Sequence, residues 1–72
     1  MISKENLDKR ICDVEKNADN TQTYREFIRE SERMFELSPA PLDLYSDEEL
    51  KEYLEELNYL WEKWFKVAAT EN

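Results

Sequence analysis

Apolar positions along the chain fall into three stretches with helical spacing. In the first, Leu7, Ile11 and Val14 recur at i, i+4 and i+7, and Ala18 continues that face. A helix over about 4–17 is predicted, with Ser3 as its N-cap and Asp19-Asn20 as a polar break after it. The second stretch aligns Tyr24, Phe27, Ile28, Ser31, Met34 and Phe35 on one stripe and predicts a helix over about 22–37. Thr23 and Glu26 have capping-box spacing, with Thr21 as the other candidate cap. Ser31 is small enough to let a neighbouring helix come close. Ser38-Pro39 stops the helix, because the residue before a proline is pushed out of the α region.

The third stretch is the best signalled. Ser46 and Glu49 form a capping box, and Asp47, Glu48 and Glu49 place carboxylates at the positive end of the helix dipole. Tyr45 and Leu50 have the spacing of a hydrophobic staple. Leu50, Leu57 and Trp64 recur with heptad spacing, and Tyr53, Leu60 and Val67 follow the same period three positions later. Leu54, Trp61 and Ala68 broaden the stripe beyond a two-stranded seam. The pattern predicts a helix over about 47–68, packed against two others. Between the second and third helices, Ser38 to Leu44 form a connector stiffened by Pro39 and Pro41. Leu42 and Leu44 flank Asp43 and are expected to lie over the core. The expected fold is all-α: a small three-helix bundle with a proline-containing connector, a single acidic domain over residues 1–72.

Composition narrows the chemistry. Glycine and histidine are absent, and Cys12 is the lone cysteine. Without glycine there is no P-loop, dinucleotide fingerprint or EF-hand turn. Without histidine there is no His-based triad or general base, and Cys12 lacks the partner that would activate it. Such a thiol reads as a small buried hydrophobe or an inert, partly exposed group. One thiol is no zinc ligand set, and a single cysteine suits a reducing cytoplasm. The opening Met1 to Asn6 is too polar for a secretory leader, and no apolar run exceeds Val67-Ala68-Ala69, far short of the roughly 20 residues of a membrane span. Asp43, Asp47 and Glu48 cluster, but a calcium site needs a looping backbone that supplies more oxygens. Capping already accounts for Asp47 and Glu48. No enzymatic activity, cofactor or metal is expected.

Charge is the most informative surface property. The chain carries −8, unevenly: residues 1–37 hold nine acids and seven bases, residues 38–72 nine acids and three bases. A polyanion repels nucleic-acid phosphates and anionic membranes and attracts basic protein surfaces. At ~100° per residue, Glu48, Glu52, Glu55, Tyr59 and Glu62 form a ridge opposite the apolar stripe of the third helix. Asp47–Lys51, Lys51–Glu55 and Glu62–Lys66 are spaced as ion pairs, whereas Glu48–Glu52 and Glu52–Glu56 set like charges together. Helix stability alone does not ask for Glu52 or Glu56. Tyr59 points into the ridge, and Trp61 and Phe65 lie towards one edge of the stripe, as core or as contact surface. Arg25, Arg29 and Arg33 form a row on the second helix, flanked by glutamates and read as surface pairing within that helix or with acids of the third.

Residues 23–38, from Thr23-Tyr24-Arg25-Glu26-Phe27 to Phe35-Glu36-Leu37-Ser38, resemble a helix of the small enterobacterial haemolysin-expression modulators, helical partners of a nucleoid protein. The rest of the chain does not follow that pattern, the Pro39/Pro41 connector departs from it, and no residue's role carries over.

The expected function is a non-enzymatic, cytoplasmic interaction module: a small acidic regulator or inhibitor, adaptor-like, immunity-like or DNA-mimic-like, of the kind found in phages and mobile elements. Its partner would be a basic protein surface, such as a nucleic-acid-binding protein or nuclease, with no direct contact to nucleic acid or membrane. The contact residues would be Glu48, Glu52, Glu55, Glu56, Tyr59, Glu62 and Phe65. The alternative is a homo-oligomerising structural module, a homodimer in its simplest form.

Overall fold

The structure, a computed structural model, describes residues 2–70, with side chains described for 2–68. It is mostly helical, and among the described residues there is no strand. The elements in order are a 3-10 turn at Lys4–Asn6, α1 at Ile11–Val14, α2 at Tyr24–Met34, a second 3-10 turn at Leu42–Leu44, and α3 at Asp47–Thr70. With 24 residues, α3 runs about 36 Å and sets the long axis of a 42 × 28 × 17 Å molecule.

The continuous first helix expected over 4–17 does not form. Ser3 is extended and its side chain caps nothing. The Lys4 N–H instead donates to Asp47 Oδ1 at 2.9 Å, which ties the chain's start to the start of α3. Arg10 is extended and pairs antiparallel with Thr23 in an isolated bridge. The physical reason lies in α2, whose first N–H groups have no partner within their own helix. Tyr24 N–H donates to the Lys9 carbonyl at 3.3 Å and Arg25 N–H to the Leu7 carbonyl at 2.9 Å. In return Ile11 N–H and Cys12 N–H donate to the carbonyls of Gln22 and Asn20 at 2.9 and 3.0 Å. A straight helix over 4–17 would lock the Leu7 and Lys9 carbonyls into its own ladder. The bent arm leaves them free to close α2 and still buries Leu7 and Ile11.

The next donor of α2 is closed from within. Glu26 N–H donates to Thr23 Oγ1 at 3.1 Å, and Thr23 N–H to Glu26 Oε1 at 2.9 Å, so Thr23 rather than Thr21 is the cap. That bonding holds the Glu26 carboxyl below its ordinary value. At the other end α2 stops three residues short of the expected boundary. Glu36 takes a left-handed φ of 55°, and Leu37 N–H donates back to the Glu32 carbonyl at 2.8 Å. This is a Schellman-type close, made by glutamate in a chain without glycine.

The core joins all parts of the chain. Ile2, Leu7 and Ile11 come from the arm, Tyr24 and Ile28 from α2, Ala40 and Leu42 from the connector, and Leu50 and Leu57 from α3. Each large apolar side chain fully removed from water contributes roughly 1.5–3 kcal/mol. Leu42 is buried as expected, but Leu44 is 80% exposed: the 3-10 turn at Leu42–Leu44 rotates the two leucines onto different sides. The Ser46–Glu49 capping box forms, at 2.9 and 3.2 Å, and Tyr45 packs edge-on against Tyr53 with centroids 6.1 Å apart.

Candidate functional site

The long helix α3 presents three different faces. Leu50 and Leu57 point into the core, flanked by half-buried Tyr53, Leu54, Leu60 and Trp61. The ridge of Glu48, Glu52, Glu55, Tyr59 and Glu62 is exposed on the opposite side. Tyr59 stands outward with Lys63 Nζ 5.5 Å from its ring centre. Of the three ion pairs expected along the helix, only Glu62–Lys66 forms among the described residues, at a loose 3.9 Å. The arginines of α2 do not neutralise the ridge. Arg25 bridges Asp8 at 2.8 Å and Asp43 at 3.1 Å, and Arg29 reaches Glu32 at 2.8 Å. Among the described residues no ion pair reaches Glu48, Glu52, Glu55 or Glu56.

Two of the seven expected contact residues, Glu56 and Phe65, were not part of the expected ridge and lie off it. Glu56 falls on one shoulder of α3, in a shallow depression with Tyr45, Glu49, Glu52 and Tyr53. Phe65 falls on the other, in a groove lined by Gln22, Phe27, Glu30, Asn58, Trp61 and itself. The structure therefore brings five of the seven candidates onto one surface and sends the other two to opposite flanks. A flat partner on the ridge cannot touch Glu56 and Phe65 together.

Beyond Trp61 the stripe outruns its cover. Trp64 and Val67 occupy core-facing heptad positions but are 42% and 56% exposed, and Phe65 is 60% exposed. α2 has only 11 residues, and the last turns of α3 extend past it. Trp61 is the hinge of this region. Its indole N–H donates to Ser31 Oγ at 2.8 Å, and Ser31 in turn donates to the Phe27 carbonyl at 2.7 Å. Phe35 meets the Trp61 ring edge-on at 5.0 Å, and Trp64 and Phe65 stack outward from it at 6.0 and 6.1 Å. The small Ser31 does admit α3, as its size suggested, and it also supplies the acceptor for an indole that would otherwise lose its hydrogen bond.

One buried charge was not expected. Glu32 is 2% exposed. Its carboxylate accepts from Tyr53 Oη at 2.6 Å, Ala40 N–H at 2.8 Å and Arg29 Nη1 at 2.8 Å. Burial pushes the carboxyl pKa up, but the three donors together hold it below its ordinary value. Its own burial, and then the same contact, raise the Tyr53 hydroxyl. The signal was available in the wheel: Glu32 follows Ile28 by four positions and so lies on the apolar face of α2. Tyr24 behaves alike, its hydroxyl raised by burial and by its hydrogen bond to Glu15.

The remaining candidates for chemistry are occupied structurally. Asp43 pairs with Arg25 and Asp47 accepts from the Lys4 backbone. Among the described residues no cluster of acids or thiol is arranged to hold a metal ion, and none of the helices is long and apolar enough to cross a membrane. Cys12 is half-buried beside Asp13. Comparison with known proteins brings no match: no family model, no curated protein and no solved structure is similar to the chain.

Proposed function

We propose that the protein is a non-enzymatic interaction module whose three helices act as one bundle, and that it docks on a basic protein surface through Glu48, Glu52, Glu55, Tyr59 and Glu62 of α3. The observation that carries this is the charge of Glu48, Glu52 and Glu55, which no ion pair among the described residues reaches, while Arg25 and Arg29 of α2 are engaged by Asp8, Asp43 and Glu32 instead. Carboxylates on a rigid helix keep their positions while free, so little order is lost on association, and their field steers a cationic partner. A small regulator or inhibitor, whether immunity-like or DNA-mimic-like, acting on a nucleic-acid-binding protein or nuclease in a reducing cytoplasm, has this chemistry; the lone Cys12 supports the compartment. The test is capture from the source cell's lysate at low and high salt. A basic protein retained at low salt, released at high salt and not retained by a Glu52→Lys/Glu55→Lys variant is the expected result. Equal capture by both forms at both salts overturns it.

A second reading is self-association through the overhang of α3. It is favoured by the exposure of Trp64, Phe65 and Val67 at core-facing or edge positions. Sedimentation equilibrium separates the two: a stable dimer dispersed by Phe65→Ser favours the second reading.

A further inference from the structure

The groove between α2 and α3 is not part of the ridge, and its chemistry differs. Phe27, Trp61 and Phe65 line it, with Gln22, Glu30 and Asn58 around them. Its floor is held rigidly, since Trp61 is fixed by Ser31 on one edge and Phe35 on the other. Phe65 packs on Trp64 at 5.2 Å and still leaves most of its surface in water. The α2 wall carries a carboxylate, Glu30. Glu30 on α2 accepts only the amide of Gln22 in the hydrogen bonds of the described residues, and no cation pairs with it. On the α3 side the polar lining residue is Asn58.

We propose that this groove seats a cationic amphipathic helix, with one apolar side chain against Phe27, Trp61 and Phe65 and a basic residue reaching Glu30 on the α2 wall. The proposal rests on the docking function above and adds to it the chemistry of the partner. A groove between two helices takes anchors at i, i+3 and i+4 spacing from a third. The choice of occupant follows from charge. A second copy docked by a two-fold axis would bring the same patch against itself, setting Glu30 against its mate in a chain of net −8. A basic helix meets an opposite charge at Glu30 and in the net charge of the chain.

The probe is a synthetic peptide of leucine and lysine with the leucines on one helical face. The control keeps the lysines and replaces each leucine by serine. Binding is read by calorimetry and by tryptophan emission, with Trp61 lining the groove and Trp64 beside it. The leucine peptide is expected to bind at least about tenfold more tightly than the control. Phe65→Ser, at an exposed position, should abolish that difference without altering the circular dichroism or the melting temperature. Equal binding of both peptides, or an unchanged preference in Phe65→Ser, overturns the groove and leaves the ridge standing if Glu52→Lys/Glu55→Lys weakens both. Binding of the leucine peptide that survives Glu52→Lys/Glu55→Lys, with none of the control, upholds the groove and sinks the ridge. Self-association of the protein alone, lost in Phe65→Ser and not displaced by peptide, assigns the groove to a second copy and overturns the proposal.

Discussion

Glu32 is the residue on which the junction of α2, connector and α3 depends. Its three donors come from three different elements. Glu32→Ala would strand the Ala40 N–H and the Tyr53 hydroxyl, at a cost of about 3 kcal/mol measurable by urea unfolding. Tyr53→Phe removes one donor and is expected to cost about 1 kcal/mol. The sign of the pH dependence follows from the lowered carboxyl. Above the unfolded pKa the folded state holds the ionised group more favourably, and that contribution is fully present; it is lost as pH falls through the lower folded pKa. Stability by urea melt should therefore fall less on acidification in Glu32→Gln than in the parent. Tyr24 and Tyr53, both raised, act at the alkaline end: their contribution is present below the ordinary tyrosine value of 10 and is lost above it. Glu36 is the other residue under constraint. An L-residue in the left-handed region costs roughly 1–2 kcal/mol, part of which glycine gives back as chain entropy. Glu36→Gly should raise stability by about 0.5–1 kcal/mol, seen as a higher melting temperature.

Among the elements, α3 was the most legible in the sequence because each of its signals is local. The Ser46–Glu49 box, the acidic first turn and the heptad row all lie within a few positions of one another, and the helix starts where they place it. The Thr23–Glu26 box is equally local, and Thr23→Ala is expected to cost about 1 kcal/mol by thermal or urea melts. The first helix was misread for the converse reason. Leu7, Ile11 and Val14 suit a helical face, but what bends the arm is a set of backbone bonds from Leu7 and Lys9 to residues of α2, which side-chain spacing does not encode. The groove was missed for a related reason. Phe27 and Phe65 were each readable as stripe residues, yet only the crossing of α2 over Trp61 puts them on one surface. The ridge, by contrast, could be read from angular position alone, apart from Glu56 and Phe65 at its margins.

For the whole molecule, charge and cover are distributed against each other. The carboxylates gather on the outward side of α3, and the uncovered rings gather at its far end. The fold itself does not need the ridge: Glu52→Lys relieves like-charge contacts with Glu48 and Glu56, Glu55→Lys adds one with Lys51, and the two together should leave stability within about 0.5 kcal/mol of the parent by urea melt, even as partner capture is lost. Trimming is a common way to simplify a small protein, and the N-terminal arm invites it. That would be a mistake here. Ile2 and Leu7 are core residues, and the carbonyls of Leu7 and Lys9 accept from the first turn of α2. Shortening the chain from that side would unfasten the middle of the molecule rather than tidy its edge.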